Sequence, residues 1–192
     1  MTPEQSIKNL TDGNARHAAG IQCPKKFSAE FRQDLCKNGQ KPYAAIVGCS
    51  DSRVPVEIVF DSGMGELFVI RTAGNIVGSF ELGSLEFAVA VLKVPLILVL
   101  GHDYCGAVKE AADSATSGAK APEDIEMILK EIRSGLEITQ GKTYADYEDE
   151  NIRHTLSKIA ADPIMSKYVS QGDLRLAAAK YSLETGIVSY FN

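Results

Sequence analysis

Two short clusters hold the residues best suited to chemistry. One is Gly48-Cys49-Ser50-Asp51-Ser52-Arg53; the other, about fifty residues later, is Gly101-His102-Asp103-Tyr104-Cys105. Thiolate sulfur and imidazole nitrogen are donors that Zn²⁺ prefers in a tetrahedral shell. Cys49, His102 and Cys105 would supply three of them and leave a fourth position for water or substrate, which is the pattern of a catalytic zinc. A structural zinc takes four Cys or His ligands, and no fourth one lies close in sequence. His-x-x-Cys alone is a weak signal. Paired with Cys-x-Asp-x-Arg at a second site, it is hard to assign to chance. Asp51 and Arg53 stand two and four residues after Cys49, where a carboxylate and a guanidinium can form a bidentate pair beside a metal. Cys23 and Cys36 lack such company and read as small buried hydrophobes. His17 and His154 read as ordinary helix residues.

Elements must then bring the two clusters together. Each cluster follows a continuous apolar run: Tyr43-Ala44-Ala45-Ile46-Val47 before the first, Leu96-Ile97-Leu98-Val99-Leu100 before the second. A third run, Leu67-Phe68-Val69-Ile70, lies between them. Runs apolar at every position suit strands of a parallel sheet buried on both faces. Ser79 to Leu92 has helical spacing at Leu82, Leu85, Val89 and Leu92. Ala121 to Gln140 and Tyr144 to Ala160 read as surface helices. Thr2-Pro3-Glu4-Gln5 is a capping box with proline at the first helical position. A second helix runs from about Phe27 to Asn38 and stops at Gly39. Leu174 to Phe191 reads as two strands around Glu184-Thr185-Gly186, a terminal hairpin on a sheet edge. The expected fold is α/β: a mostly parallel central sheet with helices on both faces, an N-terminal helical arm and a C-terminal antiparallel edge hairpin. In such a sheet, ligands bind beyond the carboxyl ends of the strands, where both clusters would fall.

Composition narrows the function classes. The chain has 192 residues, 45% of them hydrophobic, which suits one domain. We divide it into an arm (1–40), a core carrying the clusters (41–110), and the remaining helices and strands (111–192). Net charge is −5 and no basic patch stands out, so nucleic acid is not an expected partner. The first residues lack the apolar core of a signal peptide. The longest apolar run, Val94 to Leu100, is too short to span a bilayer. A cytoplasmic protein without membrane association is expected, with its four cysteines serving metal binding or burial rather than disulfides.

The two clusters together resemble the paired signature of the β-class carbonic anhydrases. The similarity is close from Pro42 to Val108 and includes Gly65-Glu66-Leu67-Phe68-Val69-Ile70-Arg71 and Ala73-Gly74-Asn75. Gly13-Asn14-Ala15-Arg16 and the terminal hairpin are similar more loosely. The resemblance implies Zn²⁺ on Cys49, His102 and Cys105, with reversible hydration of CO₂ to bicarbonate and a proton by hydroxide generated at the metal. It implies that Asp51 and Arg53 work as a pair beside the metal, with Asp51 as a fourth ligand in a closed state. It also implies a homo-oligomer built from dimers. On the substrate side it points to Ser62, Phe80, Phe87 and Gly106.

Three departures bear on substrate handling. Ser62 stands in the segment where many members carry a Gln whose amide donates to substrate. Phe87 replaces a frequent Tyr. The chain has no Trp, so the bicarbonate pocket that one subgroup builds around a Trp is not expected in that form. Phe80 and Phe87 are candidates for an apolar substrate wall, with plain packing on the helix face as the other reading. Hydrolysis of carbonyl sulfide or carbon disulfide on the same scaffold, or a closed and inactive zinc site, are the alternative functions. The Asp51–Arg53 pair favours CO₂ hydration.

Overall fold

The structure is a computed structural model, and it describes residues 1–21, 23 and 28–191. Five strands form one sheet in the order β2-β1-β3-β4-β5. They are β1 (Ala44–Cys49), β2 (Leu67–Thr72), β3 (Leu96–His102), β4 (Arg175–Tyr181) and β5 (Val188–Tyr190). The first four are parallel, and β5 returns antiparallel to β4 on the edge. The chain leaves β1 for β2 on one side and then crosses to β3 on the other. That reversal makes the carboxyl ends of β1 and β3 a topological switch point.

Every residue of β1 and β3 is buried, and side-chain alternation divides them between two cores. Ala44, Ile46, Leu96, Leu98 and Leu100 share one core with Leu10 of α1 (Pro3–Ala18) and with Val56 and Val59 of α3 (Val56–Val59). Ala45, Val47, Ile97 and Val99 face the other core. There they join Leu85 and Val89 of α4 (Ser79–Ala90), Ile152 and Ile159 of α7 (Tyr144–Ala161), and Met165 of α8 (Pro163–Ser170). A third core, beside Cys49 and Cys105, is built from α5 (Gly106–Ser117) and α6 (Glu123–Ser134).

The expected architecture is therefore present, with adjustments. The arm helix starts at the anticipated capping box, where Thr2 and Gln5 bond reciprocally. The second helix, α2, is described over Ala29–Asn38; its expected start at Phe27 lies outside the described residues. α6 ends at Ser134 rather than Gln140, with Gly135 at its cap. α3, α5 and α8 have no counterpart in the periodicity reading. α7 is a surface helix with one buried face: Glu148, Asn151, Ile152, Thr155 and Ile159 are buried, and Tyr147 joins the third core. Cys23 and Cys36 are exposed rather than buried. For Cys36 the reason is that α2 buries none of its residues, so its apolar spacing serves no core within this chain.

Asn14 fastens the arm to two other segments, alongside Leu10 in the core and the buried Ser6 hydroxyl, which donates to the Tyr43 carbonyl at 2.7 Å. The Asn14 amide donates to the carbonyls of Val59 (3.2 Å) and Gly186 (2.8 Å) and accepts from Val188 N–H (2.8 Å). Its neighbour Gly13 lets α1 come this close, because a Cβ there would meet the Phe60 carbonyl oxygen at 2.0 Å. Gly13→Ala should thus lift α1 from the sheet and lower the denaturation free energy by about 1–3 kcal/mol, as overpacking does. Gly83→Ala, in open space on α4, should be neutral or stabilising by up to ~1 kcal/mol. Urea midpoints of the two variants check the contrast.

Candidate metal centre

Cys49 is the last residue of β1 and His102 the last of β3, while Cys105 follows as the N-cap of α5. Since β1 and β3 run parallel side by side, both strand ends open at the same rim of the sheet. The ligand-type atoms of Cys49, His102 and Cys105 all lie within 4.8 Å of one another. All three residues are buried.

The imidazole is oriented by its other nitrogen. His102 Nδ1 donates to the Asp103 carbonyl at 2.8 Å, so in the neutral ring Nε2 carries the free lone pair. Nε2 is buried and makes no hydrogen bond. An unpartnered buried polar atom costs about 1–3 kcal/mol, and a metal bond would remove that cost. The thiols form a coupled pair. Cys49 is pushed down to about 4, first by the Cys105 thiol beside it, then by His102 and by the N–H groups of Asp51 and Gly74, against the opposing effect of burial. Cys105 is pushed up, first by Cys49 and then by burial. Two adjacent thiolates repel each other, and a shared cation would offset that repulsion. Two sulfurs and a bare imidazole nitrogen, dry and convergent, fit Zn²⁺.

The surrounding backbone is tied to this cluster. The N–H groups of Asp51 and Gly74 donate to Cys49 Sγ at 3.4 and 3.3 Å. Gly74 has φ +73, a left-handed conformation that glycine adopts without strain, and a Cβ there would also push on the tip of Ile132. The Asn151 amide holds the Gly74 carbonyl at 2.8 Å. Arg71 reaches from β2 to the carbonyls of Cys49 (2.8 Å) and Asp51 (2.6 Å).

Asp51 and Arg53 make the expected bidentate pair. Arg53 Nε meets Oδ1 at 3.0 Å and an Nη meets Oδ2 at 2.7 Å; the same Nη bonds the Tyr104 carbonyl at 3.1 Å. The Arg53 hydrogen bonds hold the Asp51 carboxyl down at about 2. Asp51 Oδ2 lies 3.9 Å from His102 Nε2, at the edge of the cluster. Beyond Arg53, an open depression of about 500 Å³ is lined by Arg53, Tyr104, Leu183 and Glu184.

The structure thus brings Cys49, Asp51, Arg53, His102 and Cys105 together, with Gly106 next to Cys105 at the start of α5. Ser62 is buried, and its hydroxyl bonds to Tyr43 Oη (2.7 Å) and the Phe60 carbonyl (3.3 Å). Phe80 is 89% exposed and Phe87 48% exposed, so neither packs into a core of this chain. Arg71, Asn151 and Glu148, whose carboxylate accepts from Cys105 N–H at 3.1 Å, escaped the sequence reading. For Glu148 a signal existed: with Ile152, Thr155 and Ile159 it sits on the apolar stripe of α7, an unusual place for a charge.

Residues 44–188 match the family model described as carbonic anhydrase. The fold superposes on the β-carbonic anhydrase CcaA with a TM-score of 0.75 and 27% identity, covering 98% of this chain and 88% of that one. The chain belongs to the β-class carbonic anhydrases. As a member of that class it is a zinc-dependent enzyme of CO₂ hydration. Among other carbonic anhydrases, it is 38% identical to carbonic anhydrase 2 of Mycobacterium tuberculosis over 190 residues, 96% of this chain and 90% of that protein. It is 38% identical to the carbonic anhydrase of Mycolicibacterium smegmatis over 170 residues, 88% and 82% of the two chains. The fold also matches a chain from the crystal structures of two tetrameric β-carbonic anhydrases of Sordaria macrospora, at a TM-score of 0.75 and 21% identity, over 98% of this chain and 95% of that one.

For this β-carbonic anhydrase, metal analysis should give about one zinc per chain. Cys49→Ala, His102→Ala and Cys105→Ala should each lower zinc content to a few per cent. Full occupancy in all three variants would place the metal elsewhere.

Proposed function

We propose that Cys49, His102 and Cys105 hold the zinc and that Asp51 and Arg53 direct the reaction on CO₂. The observation that carries this reading is the bidentate pair beside the three-donor cluster. When bound, zinc supplies a water acidic enough to act as a nucleophile near neutral pH. Asp51 stays ionised across the working range, so it accepts a hydrogen bond from the nucleophile and aims its lone pair at carbon. Arg53 occupies both carboxylate oxygens, which turns Asp51 away from the metal and keeps the fourth position open. Loss of that pair would free Asp51 to become the fourth ligand and close the site. Bicarbonate and a proton are the products.

Gly106, Ser62, Phe80 and Phe87 complete the substrate side in this reading. The Ser62 hydroxyl donates to the Phe60 carbonyl and pairs with Tyr43 Oη beside the start of β1, the end away from Cys49, so its contact with substrate would be made in the site of a second copy. We expect slower hydration than in a Gln-bearing relative. Two exposed phenylalanines on α4 and the half-exposed edge strand β2 support a homo-oligomer built from dimers, in which a second copy covers Phe80 and Phe87. Light scattering should give an even multiple of the 20.7 kDa chain; a fully active single chain would contradict a covered α4. We read residues 1–192 as one domain, which the Asn14 bonds joining arm and hairpin support. A cytoplasmic setting suits two thiols that must stay reduced to bind metal. No helix among the described residues is long and apolar enough to cross a membrane.

Stopped-flow CO₂ hydration tests the assignment. Turnover should rise with pH, because the deprotonated nucleophile attacks. Asp51→Asn should lose about 10²-fold or more in kcat, the scale of a well-aimed polar contact in the transition state, while keeping its zinc. Equal activity in that variant would remove Asp51 from the mechanism. Ser62→Gln should raise kcat/KM. If neither Ser62→Gln nor Ser62→Ala changes it, Ser62 has no part in substrate binding. Faster turnover of carbonyl sulfide or carbon disulfide than of CO₂ by the parent enzyme would reverse the substrate order.

A further inference from the structure

One buried ion pair is directed at a ligand rather than at the fold. Glu148 is 4% exposed, and its Oε1 accepts from the backbone N–H of Cys105 at 3.1 Å. Its Oε2 meets Lys180 Nζ at 2.8 Å. Lys180 in turn bonds Asp149 at 2.9 Å and the Ala145 carbonyl at 3.1 Å. It stands on β4 opposite Gly101, the residue before His102. Helix α7 and strand β4 are therefore both joined to the main chain of Cys105.

The loop they hold requires such holding. Tyr104 sits at φ +54, in the left-handed region that a bulky L residue rarely adopts. Its side chain is 71% exposed, so packing does not fix it. Hydrogen bonds fix it instead. Asp103 accepts from Leu183 N–H at 2.9 Å and donates its own N–H to the Tyr181 carbonyl at 3.1 Å. Arg53 takes the Tyr104 carbonyl. Glu148 alone among these side chains bonds Cys105 itself. A buried ion pair is a weak device for stability, because desolvation offsets the attraction. Groups that orient a metal's ligands act on affinity and reactivity.

We propose that Glu148, clamped by Lys180, is a positioning residue that sets the Cys105 backbone, and through it Sγ, in place for zinc. The inference rests on Cys105 being a zinc ligand. Three variants isolate the carboxylate. Glu148→Asp keeps the ion pair but withdraws the oxygen from Cys105 N–H. Glu148→Leu with Lys180→Met removes acceptor and charges together. Glu148→Gln with Lys180→Met restores the acceptor without the charge.

The readouts are zinc affinity by chelator competition and the sulfur-to-cobalt charge-transfer absorption of the Co²⁺-loaded proteins. Melting temperature is measured alongside. The first two variants should bind zinc about 10–100-fold more weakly and shift the cobalt absorption, and Glu148→Gln with Lys180→Met should recover most of both. If the Leu–Met pair does not fold, Glu148→Asp against the parent carries the test. Unchanged affinity and cobalt absorption in folded variants, with only melting temperature altered, would make Glu148 a structural residue and overturn the proposal. Cys105→Ala is the control. If it keeps full zinc affinity, the ligand assignment fails; if it loses zinc while the Glu148 variants do not, only this inference fails.

Discussion

The metal centre depends on the parallel pairing of β1 with β3. Gly48 lies opposite Leu100, so the residues that end the two strands emerge together at a rim where no further strand continues. A slip of one residue would invert the alternation that sends Ile46 and Leu98 to one core and Val47 and Val99 to the other. Two buried cores enforce the register, and the register places Cys49 beside His102. Neither cysteine nor histidine needs to drive the folding that assembles them.

What the rim lacks in regular structure it replaces with individual hydrogen bonds. Strand ends leave carbonyls and N–H groups without ladder partners, and buried ones must be satisfied. Arg71 takes the carbonyls of Cys49 and Asp51, Asn151 takes that of Gly74, and Glu148 takes the N–H of Cys105. The same bonds that satisfy the main chain restrain the backbone on which Cys49 and Cys105 stand. Polar satisfaction and ligand geometry are here one arrangement.

Much of this was legible in the residues. Continuous apolar runs marked the strands because both faces of the sheet are covered, and reactive clusters at the ends of two of them located the site. The Asp51–Arg53 pair was legible because both partners belong to one five-residue segment. The supporting residues were not. Glu148 lies some forty positions from Cys105 and Asn151 nearly eighty from Gly74, and only the tertiary fold brings them close. The buried face of α7 was hard to read because its stripe mixes Glu148, Asn151 and Thr155 with isoleucines, which blurs the periodicity. Cys36 read as buried because residue type was the only guide, yet its helix contributes nothing to a core of this chain.

The bond from Leu183 N–H to the Asp103 carboxylate, with the Asp103–Tyr181 bond beside it, gives the centre a timetable. Both segments that carry the proposed ligands are synthesised long before the strand and turn that pin the loop between His102 and Cys105. Translation at ~5–20 residues per second puts several seconds between them. Through that interval two thiols and an imidazole exist on a nascent chain without their final restraint. On the proposed ligand set, the loop between His102 and Cys105 gains its last restraints only once Tyr181 and Leu183 have been made.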